Sequence, residues 1–128
     1  MAGTLTAGTL SDGTNSASTT DAIKGSARAW VNFNGITGAI RASYNVSSVI
    51  RSSTGAYTVN LTNALSDTNY SVSGSAGSLT TNTACWFGIG SIAGSWPVNN
   101  TTSSFRVQVT YATGNAADTD YVCAVVNR

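Results

Sequence analysis

Phe105-Arg106-Val107-Gln108-Val109-Thr110-Tyr111 alternates apolar and polar residues without a break: Phe105, Val107, Val109 and Tyr111 fall on one parity, Arg106, Gln108 and Thr110 on the other. Side chains of an extended strand point alternately to its two faces, so this heptad is a strand with one buried and one solvated face. A helix, with its period of 3.6, would spread the four large apolar groups around its circumference.

The same period of two recurs on both sides of this stretch. Ala27, Ala29, Val31 and Phe33 share a parity against Arg28, Trp30, Asn32 and Asn34. Gly35-Ile36-Thr37-Gly38 then reads as a turn, and Ala39 to Ser43 as the return strand. Asn45 to Arg51 carries Val46 and Ile50 on one face and Val49 on the other. It is followed by the turn cluster Ser52-Ser53-Thr54-Gly55 and by the alternating Tyr57, Val59 and Leu61, which makes a second hairpin. Tyr70 and Val72 open a further strand after the turn Ser66-Asp67-Thr68-Asn69, and Gly74 to Thr83 reads as a small-residue loop.

Ala84-Cys85-Trp86-Phe87-Gly88-Ile89 is apolar on both parities, the pattern of a strand covered on two sides in a core or at a subunit interface. Tyr121 to Val126 has the same character and closes the chain, after a polar loop from Thr113 to Asp120. These segments amount to about eight strands without an amphipathic helix, and they predict an all-β fold, an antiparallel β-sandwich of jelly-roll type. The chain divides into an extended N-terminal arm, residues 1–24, and a β domain, residues 25–128. The arm is poor in aromatics and holds a near-repeat, Ala2-Gly3-Thr4-Leu5 and Ala7-Gly8-Thr9-Leu10. Five-residue spacing puts Leu5 and Leu10 on opposite faces of a strand, so the arm lacks an apolar stripe of its own and is expected to serve as an attachment segment.

Composition removes whole classes of function. The 128 residues include six Lys and Arg and five Asp, only 9% charged, with a formal net charge of +1. Nucleic-acid binding needs a stripe of cations to displace counterions from phosphates, and none is present. Histidine and glutamate are both absent, so the usual general acids and bases of hydrolysis and transfer are missing, and no enzyme activity is expected. Asp118 and Asp120 could meet in one loop, but a turn is the plainer reading, since a calcium site needs six or more oxygens. Two cysteines without histidine do not complete an ordinary zinc site, and no cofactor is expected. Gly88-Ile89-Gly90 lacks the third glycine and the βαβ setting of a dinucleotide fingerprint. No apolar run reaches the roughly 20 residues of a membrane span, and Met1 to Thr20 has neither the basic nor the apolar region of a signal peptide. The expectation is synthesis in a cytoplasm, with Asn45-Val46-Ser47 and similar triplets carrying no glycan.

Four side chains invite a choice between core and site. Cys85 and Cys123 sit among apolar neighbours as small buried groups, with a cross-strand disulfide as the alternative. Trp86, beside Phe87, reads as core or interface. Trp96 precedes the sole proline in a polar loop close to Asn99 and Asn100. It could stack on a sugar ring of a surface glycan or on another apolar ligand, or simply fold back over the end of the domain.

The run from Gly25-Ser26-Ala27-Arg28-Ala29-Trp30-Val31-Asn32-Phe33-Asn34-Gly35 through Ile40-Arg41-Ala42-Ser43-Tyr44-Asn45-Val46-Ser47-Ser48-Val49 resembles a module of bacteriophage tail-fibre and related virion surface proteins. Gly55-Ala56-Tyr57-Thr58-Val59-Asn60-Leu61, Asp67-Thr68-Asn69-Tyr70 and the closing Asp120-Tyr121-Val122-Cys123-Ala124-Val125-Val126-Asn127-Arg128 share in the resemblance, which covers roughly residues 25 to 75 and the last strand. It implies a β-rich, usually homotrimeric module displayed on a virion, and it brings no catalytic residue. Because so little chain precedes the module, the expectation is a short knob, a head decoration or head fibre, docked on capsid or tail proteins through its arm. A tail-fibre receptor-binding protein and a free carbohydrate-binding module are the alternatives.

Overall fold

The computed structural model describes residues 3–4, 6–78, 85–89 and 100–128. The fold is all-β, with ten strands and one seven-residue helix among the described residues. In chain order these are β1 (Thr9–Ser11), β2 (Ser16–Ser18), α1 (Thr19–Gly25), β3 (Ala27–Phe33), β4 (Ile40–Tyr44), β5 (Val46–Ser53), β6 (Ala56–Leu61), β7 (Ser71–Gly77), β8 (Cys85–Gly88), β9 (Ser104–Tyr111) and β10 (Tyr121–Asn127). They form three antiparallel sheets: β1-β2, β4-β3-β10-β7 and β5-β6-β9-β8.

Alternation decides which side chains go inward. Ala29, Val31 and Phe33 of β3 join Val122, Ala124 and Val126 of β10 on the buried side of one sheet. Tyr57, Val59 and Leu61 of β6 join Phe105, Val107 and Val109 of β9 on the buried side of the other. The two sets belong to a single apolar core, which Val72 of β7 completes. Phe33 and Tyr57 meet edge to face across it, ring centroids 5.1 Å apart, the arrangement aromatic quadrupoles favour.

The chain passes from the first large sheet to the second at Asn45, which takes φ 55°. Asparagine tolerates this left-handed geometry better than most residues. Its amide nitrogen donates to the carbonyls of Arg28 and Asn63, and its side-chain oxygen accepts the Asn63 N–H at 2.8 Å, so the corner is fixed on both sides. At the same end Tyr70 Oη donates to the carbonyls of Thr101 and Ser104. Arg128 pairs with Asp67 and donates to Ser66 nearby.

Several expectations change. A register shift between Val46 and Ser48 inserts one extra residue, so Val46 and Val49 both pack on the core while Ile50 is 55% exposed. Strict alternation across β5, which pairs Val46 with Ile50, fails because a bulge reverses parity. The small-residue stretch from Gly74 is not wholly a loop: β7 runs on to Gly77, pairing Gly74 with Ala124 and Gly77 with Tyr121 of β10. Within the chain β8 is an edge strand and not a central one, and its outer face is open, with Trp86 65% exposed. In the N-terminal arm, β1 and β2 form a hairpin closed by Asp12, whose carboxylate accepts the N–H groups of Thr14 and Asn15, and α1 follows it. The arm is thus folded back rather than a single extended strand.

Candidate functional site

Two features could carry function: a polar clasp at one end of the domain, and the outer face of sheet β4-β3-β10-β7.

The clasp is built on Asp118, in the connection from β9 to β10. Arg51 Nε donates to both its carboxylate oxygens at 3.0 and 2.9 Å, and Arg51 Nη2 donates to Oδ2 at 2.6 Å. Asp118 Oδ1 also accepts from Gly55 N at 2.8 Å and from Tyr57 Oη at 2.9 Å. Backbone bonds continue the attachment: Gly35 N donates to Thr119 O, and Ala117 N to Val109 O. Ala117 and Thr119 are consequently buried, closing the end of the core. Partial burial pushes the Asp118 carboxyl up, but the bonds from Arg51, Gly55 and Tyr57 outweigh it and hold it below its usual range. Burial, reinforced by the hydrogen bond to Asp118, pushes the Tyr57 phenol well above its ordinary value. With its oxygens taken by Arg51, Gly55 and Tyr57, Asp118 acts as a structural anchor. No cluster of three metal-ligating side chains occurs among the described residues.

The outer face of sheet β4-β3-β10-β7 has a different character. Cross-strand register places Tyr44, Trp30, Val125 and Ser73 in one row, and Ala42, Asn32, Cys123 and Ser75 in the next. Their partners of opposite parity fill the core, so both rows look outward. Trp30 is 40% and Tyr44 59% exposed. Neither row contains a charged residue. Beside Trp30 lies a shallow depression of about 520 Å³ lined by Asn32, Ser73, Gly74, Ser75, Cys123 and Val125. At the far end Arg41, the extra residue of a bulge between β3 and β4, reaches across to Asn32 Oδ1 and the Asp120 carbonyl, with its guanidinium carbon 5.7 Å from the Tyr121 ring centroid.

The residues singled out from sequence do not converge on one place. Cys85 and Phe87 pack against the core from β8, Trp86 points outward from the same strand, and Cys123 is half-buried on the outer face of β10. The two cysteines are not joined in a disulfide. Burial, helped by the negative charge of Asp120, pushes the Cys85 thiol up, which keeps it protonated. Leu10 is exposed on β1, whereas Leu5, Trp96 and Asn99 lie outside the described residues. Asn100 is half-buried, and its side-chain oxygen is buried with no hydrogen-bond donor among the described residues. The outer-face aromatics Trp30 and Tyr44 were not singled out by the sequence reading, although Trp30 stands there on the parity opposite Val31 and Phe33. Among the described residues no helix is long and apolar enough to cross a membrane. Comparison of the chain with protein-family models, with curated proteins and with solved structures finds no match.

Proposed function

We propose that this protein is a structural component of a bacteriophage particle, a small homotrimeric knob or fibre displayed on the virion surface as a head decoration or head fibre. The observation that carries the reading is the pair of uncharged outward rows on β4-β3-β10-β7, which set Trp30 and Tyr44 in solvent beside the half-buried Val125 of a central strand that is apolar on both faces. An exposed aromatic face on a chain with so few charges calls for burial against protein. The resemblance of residues 25 to 75 and the last strand to virion surface modules supports the same reading.

In this view the two large sheets form a β-sandwich. The pairing of the first strand of the domain with the last (β3 with β10) supports a jelly-roll-like order, while the hairpins β3-β4 and β5-β6, each kept within one sheet, depart from it. The role is mechanical: the clasp and the core supply rigidity, while residues 1–24, with Leu5 and Leu10, dock on capsid or tail proteins. No catalytic group or cofactor is required.

Light scattering on the full chain and on a version starting at Gly25 tests the assembly. The expected result is a trimer in both, with the arm reserved for docking, whereas a monomer in both overturns the trimeric reading. Gold-labelled antibody against the purified protein should decorate the heads of intact particles. Label confined to tails would move the protein to the tail-fibre role, and unlabelled particles would remove it from the virion.

A further inference from the structure

Asn34-Gly35 is the one Asn-Gly pair in the chain, and the turn between β3 and β4 calls for both residues. Asn34 Oδ1 accepts the N–H groups of Ile36 and Thr37 at 2.9 and 3.1 Å, an Asx turn. Gly35 is buried, and a Cβ there would lie 2.5 Å from Tyr57 Oη and 2.6 Å from Thr119 O, so only glycine fits. The same pair is chemically labile, because a glycine nitrogen, with no side chain beside it, can attack the preceding asparagine. The Gly35 N–H loses its proton, the nitrogen bonds to Asn34 Cγ, and the Cγ–Nδ2 bond breaks to release ammonia. Water then opens the succinimide at Cγ, giving aspartate, or at the main-chain carbonyl carbon, giving isoaspartate with the chain routed through Cγ.

In the folded chain each requirement of that attack is blocked. The Gly35 N–H donates to Thr119 O at 2.8 Å in a buried setting, where removing its proton would leave a charge out of water. The Asn34 amide is held by its two N–H donors. Its backbone is held by the bonds from Asn34 N to Ala39 O and from Gly38 N to Asn34 O, at 2.9 and 2.7 Å. Thr119 follows Asp118 directly, so the carbonyl that covers Gly35 belongs to the connection that the clasp holds down. We infer that Asn34 is a self-modification site gated by the clasp: inert while Thr119 covers Gly35, it converts to aspartate and isoaspartate when the β9–β10 connection lifts.

The two products differ in what they permit afterwards. Aspartate keeps both Asx-turn bonds and makes their acceptor a charged one, so a chain carrying it recloses. Isoaspartate adds a carbon to the main chain between residues 34 and 35, beside a position where not even a Cβ has room, so Gly35 does not return to Thr119. Opening of the clasp becomes permanent in the chains that take this second route. Asn15-Ser16, exposed in the arm, is a second asparagine followed by a small residue, and the clasp does not cover it. It serves as an internal reference for the chemistry itself.

Ageing at one mildly alkaline pH tests the gate, read by mass spectrometry of the tryptic peptide Ala29–Arg41 with isoaspartate methyltransferase marking the isoaspartyl form. The samples are the wild-type chain, Asp118→Ala, Phe87→Ala and a synthetic peptide of residues 29–41. Phe87→Ala loosens the core away from the clasp, so it separates local lifting from global unfolding. Conversion follows the population of the open form. The peptide should convert fastest, Asp118→Ala should exceed wild type by about tenfold or more, and Phe87→Ala should stay close to wild type. Asn15 should convert at one rate in all three proteins. If Asp118→Ala does not fold, Asp118→Asn carries the same comparison, with an Asn34 rate above wild type. A wild-type rate equal to that of the peptide would overturn the protection, and equal rates in wild type and the Asp118 variant would overturn the gate. Equal acceleration by the Asp118 variant and Phe87→Ala would make global unfolding the route and overturn the gate as well. Isoaspartyl chains separated by ion exchange should melt below Asn34→Asp, and equal melting would overturn the permanence of the opening.

Discussion

Arg51 and Asp118, 67 residues apart in sequence, are joined by a forked ion pair with contacts between 2.6 and 3.0 Å. The fork ties the β9–β10 connection to the end of β5. The same carboxylate takes the N–H of Gly55 and the hydroxyl of Tyr57, so one side chain of the β9–β10 connection is held by three residues of the β5–β6 hairpin. Arg51 is largely solvated, and an exposed pair of this kind adds little by itself. The buried partners give the clasp its weight.

Replacing Asp118 should therefore cost according to which partner is orphaned. Asp118→Ala leaves the Tyr57 hydroxyl and the Gly55 N–H without an acceptor, at about 1–3 kcal/mol for each buried group. Asp118→Asn keeps an oxygen for both and loses only the charge toward Arg51, so it should be the milder change. Urea unfolding of the two variants measures the difference. Equal midpoints would mean that the ion pair, rather than the orphaned donors, holds the connection.

Acid should loosen the same connection. The folded-state pKa of Asp118 is depressed, so this carboxylate stabilises the fold at pH above its unfolded value of about 3.9. That contribution fades as pH falls below about 4 and is gone once pH has passed through the lower folded value. Wild-type stability measured from pH 7 down to pH 2 should drop over that window, and Asp118→Asn should drop less. Parallel curves for the two proteins would place the acid sensitivity elsewhere.

Two turn glycines separate backbone strain from crowding. Gly38 and Gly55 both have left-handed backbone, at φ 76° and φ 68°. A Cβ on Gly38 has its nearest neighbour at 3.9 Å, so Gly38→Ala should cost only the conformational term of about 1–2 kcal/mol. A Cβ on Gly55 would lie 2.3 Å from Val109 O and 2.7 Å from Ala117 N. Gly55→Ala must therefore displace the buried connection as well, and should cost more than roughly 3 kcal/mol. Thermal melting of the pair should show the larger loss at Gly55.

Sequence alone shows what depends on uninterrupted alternation and hides what depends on contacts between distant residues. β3, β6 and β9 were readable because each alternates over six to eight residues, although β9 breaks the pattern at its end, where Thr110 is buried and Tyr111 exposed, and β10 was readable as a central strand from its two apolar faces. In β5 one inserted residue was enough to reverse the face of Ile50. The second half of β7 looked like a loop because Gly74-Ser75-Ala76-Gly77 offers little apolar signal, although β10 holds it in register. The clasp was hidden for a related reason: nothing near Asp118 in sequence points to Arg51. The outer face could have been read, since Trp30 shares its parity with Arg28 and Asn32, but an exposed tryptophan in a readable strand drew less notice than Trp86 and Trp96.

Strand β8 shows how far parity can still discriminate within an apolar run. Phe87 turns inward, and a Cβ on Gly74 would meet its ring carbons at 2.6 and 2.7 Å, so this glycine makes room for the aromatic ring. Trp86, one residue earlier, faces solvent. Phe87→Ala should open a gap against β7 and cost about 2 kcal/mol, less than a fully buried phenylalanine because the ring is only half-covered. Trp86→Ala should stay within about 0.5 kcal/mol of wild type. Equilibrium unfolding in urea, run at several protein concentrations, reads both effects. A Trp86→Ala loss that grows with protein concentration would place Trp86 in a contact between copies, and with it the outer face of the second sheet.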